Sequence, residues 1–214
     1  MIRGGLTKLS EKMRERVTEV MMNVSKDQYY WCRDRDMYVS REELLKRFKR
    51  SVVVDCRDDD NKGGHIQNAI QLPDSTFNIK SVEIILREIE KKMKNKKDED
   101  DDDSTVDVVF HCMESARRGP RCARRFYEVL KILSLESTSS PDVQIRVLQG
   151  GFDQWIRTYF GTDLIEEYDD EYWGFEEIRK MQFHKNYKRP EDQPKTPWSD
   201  AGSEVVGKEP KDEV

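Results

Sequence analysis

No stretch of the 214-residue sequence reaches the roughly 18 apolar residues that a membrane-crossing helix needs, so no span of that kind is expected. No secretory leader is recognised at its start, and its cysteines number only four: Cys32, Cys56, Cys112 and Cys122. Such a set reads as reduced thiols of a cytoplasmic or nuclear protein rather than a disulfide framework. Cys-x2-Cys and His-x3-His spacings are absent, which sets aside the usual structural zinc arrangements; no metal site and no resident cofactor is expected. Net positive charge is missing too, and a balance of -5 argues against general nucleic-acid binding. Charge as such is plentiful. It makes up 38% of residues, against about a quarter in ordinary domains, so much of the chain must be solvated surface or tail.

The length suits one domain with extensions around a core of ordinary size. Its most informative stretch is His111-Cys-Met-Glu-Ser-Ala-Arg-Arg-Gly-Pro120. The strand-like run Val106-Asp-Val-Val-Phe-His111 delivers Cys112 to a turn, and Arg118 follows six residues later, just before Gly119-Pro120 and a helix-patterned segment. A cysteine, a loop of small and polar residues, an arginine and a helix N-terminus together make an oxyanion cradle with a nucleophile at its base. Backbone N–H groups of Met113, Glu114, Ser115, Ala116, Arg117 and Arg118 can point inward, and the planar fork of Arg118 can clamp two anion oxygens. The same donors would hold Cys112 as thiolate; lowering a thiol by about 3 units takes roughly 4 kcal/mol. The bland alternative is a buried structural cysteine at a strand end, with the arginines a solvated helix face. Arg117, Arg118, Arg121, Arg124 and Arg125 gather here in an acidic chain, which suggests an anionic substrate, although an exposed helix face accounts for some of them.

Around this centre the pattern predicts an amphipathic helix over residues 6 to 24, with Tyr29-Tyr-Trp-Cys32 as an apolar anchor. Packing on the domain is its expected role. Ser40-Arg-Glu-Glu43 is a capping box opening a short helix. Val52 to Asp55 reads as a buried parallel strand, with Asp55 and Arg57 bracing loops, Gly63-Gly64 a tight turn and His65 satisfying backbone groups. Ile79 to Met93 is an amphipathic helix with a lysine-rich end; Asp98 to Asp103 is a charged surface loop. After Pro120 another helical face appears, then a strand over Val143 to Leu148 and a closing helix carrying Phe152, Trp155, Ile156 and Tyr159. Strands alternating with helices imply an α/β fold, a central parallel sheet flanked by helices, with ligands outside the strands' carboxyl ends. The expected division is a helical extension over 1–37, a catalytic domain over 38–160, an aromatic and acidic extension over 161–187, and a flexible tail over 188–214.

Three stretches carry a resemblance. His111-Cys112-x5-Arg118-Gly119-Pro120-Arg121 resembles the active-site loop of the rhodanese-fold cell-cycle dual-specificity phosphatases, and Arg118-Gly-Pro-Arg-Cys-Ala-Arg-Arg125 is similar to the small eukaryotic arsenate reductases of that fold. Val52-Val-Val-Asp-Cys-Arg57 with Gly63-Gly-His-Ile66 and Ala69-Ile-Gln-Leu72 is similar to the first strand and turn of rhodanese domains, and Leu148-Gln-Gly-Gly-Phe-Asp-Gln-Trp155 to their last strand and helix. The resemblance covers residues 38 to 160 and implies a rhodanese-like fold with Cys112 and Arg118 as catalytic residues.

It implies either or both of two activities, which share every part of the site. In the first, Cys112 attacks phosphorus of a phosphotyrosine or dual-specificity phosphoprotein substrate, and Ser115 helps the thiolate leave. The cell-cycle phosphatases carry glutamate directly after the cysteine; here Met113 stands there and Glu114 lies one further on, facing solvent. In the second, an oxidoreductase activity, Cys112 forms an adduct with arsenate that glutathione, with glutaredoxin, reduces. This makes no demand for a carboxylic acid. Two alternatives remain: a thiosulfate-type sulfurtransferase, whose loop is one residue shorter, and a non-catalytic interaction module. Cys56 matches a cysteine of the phosphatases, so the resemblance implies a reversible disulfide with Cys112, which needs Cα atoms within about 7 Å. Cys122 is a weaker resolving candidate. Physiological substrate, general acid and oligomeric state are left open.

Overall fold

The computed structural model describes residues 10–24, 28–33, 35–95, 105–136 and 142–173. Its centre is a parallel sheet of five strands: β1 (Tyr38–Val39), β2 (Ser51–Asp55), β4 (Ile70–Gln71), β5 (Val106–His111) and β6 (Val143–Leu148). They lie in the order β1-β6-β5-β2-β4. Every residue of β2 and β5 is buried, because helices cover both faces of a parallel sheet and each face must therefore be apolar.

Alternation along the strands divides the core in two. Val52, Val54, Cys56, Val108, Phe110 and Cys112 face the layer of helices α4 (Ile79–Asn95) and α5 (Arg118–Glu136). Val53, Val109 and Leu148 face α3 (Arg41–Lys46) and α6 (Gly151–Tyr159). Phe152 and Trp155 of α6 are fully buried there, each contributing on the order of 2–3 kcal/mol by burial. The N-terminal helices α1 (Glu11–Met22) and α2 (Gln28–Arg33) share the first layer: Val17, Met21 and Cys32 are buried against it, and Arg14 pairs with Glu83 of α4 at 2.6 Å.

The capping box at α3 is formed, with Ser40 Oγ accepting from Glu43 N at 3.2 Å and Glu43 accepting from Ser40 N at 2.9 Å. Such a cap stabilises a helix by about 1 kcal/mol. α1 begins at Glu11, after the cap residue Ser10, rather than at residue 6, and residues 6–9 lie outside the described ones. The expected acidic loop at 98–103, the tail at 188–214 and the side chain of Tyr29 also lie outside them. α5 begins at Arg118, two residues before Pro120, which sits in the first turn where its missing N–H leaves no bond unmade. A two-stranded antiparallel sheet of β3 (His65–Ile66) and β7 (Ile165–Glu166), and the turn of helix α7 (Asp170–Trp173), complete the fold. Trp173 docks back on the domain, its indole donating to Gly63 O at 2.7 Å.

Candidate active site

Cys112 is the first residue past β5, at the carboxyl end of a central strand, and is 4% exposed. Five residues, Met113 to Arg117, then loop over it to the start of α5. Two close approaches fix that loop. A Cβ on Gly119 would sit 3.1 Å from the Cα and C of His111, so the helix N-terminus abuts the strand end with little room for a side chain. On the other side Gly151 has φ 59, and a Cβ there would land on the carbonyl oxygens of Cys112 and Met113.

Those two carbonyls are captured by α6. Phe152 N–H donates to Cys112 O at 3.0 Å and Asp153 N–H to Met113 O at 2.8 Å, so free donors of one helix N-terminus are used to turn loop carbonyls outward. The N–H groups of Met113 through Arg117 then donate to no acceptor among the described residues. Ser115 adopts φ 55, a left-handed conformation of the kind that costs about 1–3 kcal/mol in a non-glycine residue and concentrates at ligand sites. Its Oγ is buried without a partner, and its carbonyl accepts from the Tyr38 hydroxyl at 3.3 Å. Unpaired amides, an unpaired hydroxyl and a helix N-terminus over one thiol make a site for an anion.

The residues expected to form the site are therefore brought together. Cys112 and Ser115 are buried, Met113 is half-buried, and Glu114, Ala116 and Arg117 are exposed. Glu114 does face solvent, away from the thiol's buried setting.

Arg118 holds a position that sequence reasoning missed. Its Nη1 donates to Asp60 Oδ1 at 2.5 Å and to Asp58 Oδ2 at 3.2 Å, and its Nη2 to Asp60 Oδ2 at 2.5 Å. The bonds from Arg118 hold the Asp60 carboxyl below its usual range. Burial pushes Asp58 up, but bonds from Ser75 and Arg118 outweigh it and hold that carboxyl low as well. The only hint was positional: Asp58-Asp59-Asp60 follows β2 at the edge where ligands of such sheets bind.

The wider arginine cluster needs correction as a substrate-binding group. Arg121 and Arg125 are both paired with Asp74, which is 6% exposed, and Arg124 lies over the Trp31 ring at 5.1 Å. These three brace α5 against its neighbours, leaving Arg117 and Arg118 at the loop. Asp55 and Arg57 are structural as expected: fully buried, with Arg57 Nε and Nη2 bonded to the carboxylate at 2.9 and 2.6 Å and the guanidinium stacked on Phe152. Burial pushes His111 down, and its Nδ1 lies 3.4 Å from Cys112 O.

Cys56 follows β2 as Cys112 follows β5. The ladder pairs Asp55 with His111, and Cys56 N–H donates to His111 O at 2.7 Å. Neighbouring strands lie about 4.8 Å apart, within the span a disulfide bridges. Both side chains belong to the same core layer, and so does Cys122, whose thiol donates to Asp74 Oδ1 at 3.4 Å. Burial pushes the thiols of Cys56 and Cys122 up, and that of Cys32 to about 12. Among the described residues no group of three or more His, Cys, Asp or Glu is placed to hold a metal ion, and no helix is long and apolar enough to cross a membrane.

Comparison with known proteins agrees with this architecture. Residues 40–158 match the rhodanese-like domain. The chain is 28% identical over 137 residues to the dual specificity phosphatase ibp1 of Schizosaccharomyces pombe, covering 59% of this chain and 89% of that one. It is 34% identical over 113 residues to the CDC25-like phosphatase YCH1 of Saccharomyces cerevisiae, covering 53% and 70%. It is 30% identical over 103 residues to arsenical-resistance protein 2 of the same yeast, covering 48% and 72%.

Proposed function

The chain belongs to the rhodanese-like domain family, and from that premise we propose that it is a cysteine-dependent enzyme acting on tetrahedral oxyanions, first of all a phosphatase of phosphotyrosine or dual-specificity type. The observation that carries this reading is the set of five consecutive loop amides, Met113 to Arg117, without an acceptor among the described residues, arched over the buried Cys112. Such donors are costly to leave unpaired and are matched by the equatorial oxygens of a phosphoryl group. Cys112 attacks phosphorus in line as the ester oxygen departs, the amides and Arg118 stabilise the oxygens, and water hydrolyses the thiophosphate.

A second activity of the same parts is arsenate reduction. It is favoured by one feature: the loop has Met113 where an acid would stand, and Glu114 is exposed. Arsenate condenses with the Cys112 thiol, and a glutathione thiolate attacks that sulfur, giving a mixed disulfide and releasing arsenite. Glutaredoxin then restores the thiol. Cys56, one strand away, would capture an oxidised Cys112 as a disulfide.

The test is hydrolysis of p-nitrophenyl phosphate by reduced protein beside a Cys112→Ser control. Turnover in the wild type that the serine variant loses supports the phosphatase. Arsenite formed from arsenate and glutathione, without ester hydrolysis, places the chain with the reductases.

A further inference from the structure

We propose that Asp58 and Asp60 are positioning residues that pin Arg118 by its far end and leave one edge of the guanidinium for the oxyanion; this rests on the oxyanion reading above. A guanidinium carries five N–H donors in a fixed plane. Asp60 takes one from each terminal nitrogen, both at 2.5 Å, and Asp58 takes the second from Nη1 at 3.2 Å. The two donors that remain, Nε–H and the second Nη2–H, are parallel neighbours and have no acceptor among the described residues. They are the pair that a phosphate or arsenate takes two-pronged.

The clamp is itself tied down. Asp58 Oδ1 accepts from Ser75 N–H at 3.0 Å, and Asp58 N–H donates to Asp60 Oδ1 at 3.1 Å, so neither carboxylate swings freely. Held this way, a long side chain that is a quarter exposed loses its rotamer freedom before the ligand arrives rather than on binding. The simplest electrostatic expectation runs the other way, since removing a negative charge beside an anion site should strengthen binding. That opposition makes the sign of the effect decisive.

The experiment is tungstate binding by calorimetry to the full chain and to Asp60→Ala, Asp60→Asn, Arg118→Lys and the Asp60→Ala/Arg118→Lys double variant. Urea midpoints are taken beside each. The expected result is tungstate binding weakened about tenfold by Asp60→Ala and less by Asp60→Asn, which keeps one acceptor, with urea midpoints moved only slightly. On the Arg118→Lys background the same change should have no further effect, which a merely structural role would not produce. Equal or tighter binding by Asp60→Ala overturns the proposal, as does an undiminished loss in the double variant. No tungstate bound by any form, the wild type included, overturns the oxyanion reading itself.

Discussion

Two carboxylate–guanidinium pairs each have one member in the loop after β2 and end in different roles. Asp55–Arg57 lies wholly inside the domain; Arg57 Nη2 also reaches Asn61 and Gly64 O, its face lies on Phe152, and its Nη1 is shut in the core without a hydrogen-bond partner, out of reach of any ligand. Asp60–Arg118 sits at the mouth of the loop over Cys112, about a quarter to a third exposed, and leaves two donors over. The chemistry of the pairs is alike, and their surroundings decide the use. A guanidinium enclosed by protein is a brace, whereas one held at one end beside unpaired amides is left free to bind an anion.

The sharpest way to break this contrast is Asp55→Asn. Removing one partner of a buried pair leaves Arg57 charged and uncompensated, so unfolding free energy should fall by about 3–5 kcal/mol in urea titration. A loss under about 1 kcal/mol would mean the pair is not a brace. The same gap should depend on pH. Burial alone would raise the Asp55 carboxyl, but the charge of His111 and then the bonds and charge of Arg57 hold it below its ordinary value. A depressed carboxyl contributes stability above its unfolded value, about 3.9, and loses it as pH falls through the folded value. The difference between wild type and Asp55→Asn should therefore be steady near neutrality and shrink below about pH 4. A gap that widens on acidification contradicts the assignment.

Gly151→Ala probes the support beneath the cradle. The left-handed backbone and the collision with the carbonyls of Cys112 and Met113 should together destabilise the fold by about 1–3 kcal/mol and lower turnover as well. Full activity in a destabilised variant would separate the loop from α6. Smallest of all, Asp60→Ala should change stability by about 1 kcal/mol or less, as partly exposed pairs do, while altering oxyanion affinity.

Much of this was legible in the residues. β2 and β5 announce themselves as apolar runs and β6 as an alternating one, the capping box at Ser40 and Glu43 marks α3, and the spacing of Cys112 to Arg118 marks the loop. Two-residue strands such as β1 and β3 are too short to show a period, and only their partners define them. The pairing of Arg118 with Asp60, the joint hold of Arg121 and Arg125 by Asp74, and the capture of loop carbonyls by α6 all join residues far apart in the chain. Their meeting depends on strand register and helix placement, which no local pattern encodes.

The most direct test of the oxyanion cradle needs no substrate. Reduced protein is treated with iodoacetate at neutral pH, with and without tungstate, and the modified cysteine is located by peptide mass. One site of modification, Cys112, is expected, slowed by tungstate, because Cys32, Cys56 and Cys122 are buried thiols whose ionisation is pushed up. Modification of another cysteine first, or a Cys112 rate indifferent to tungstate, would contradict it.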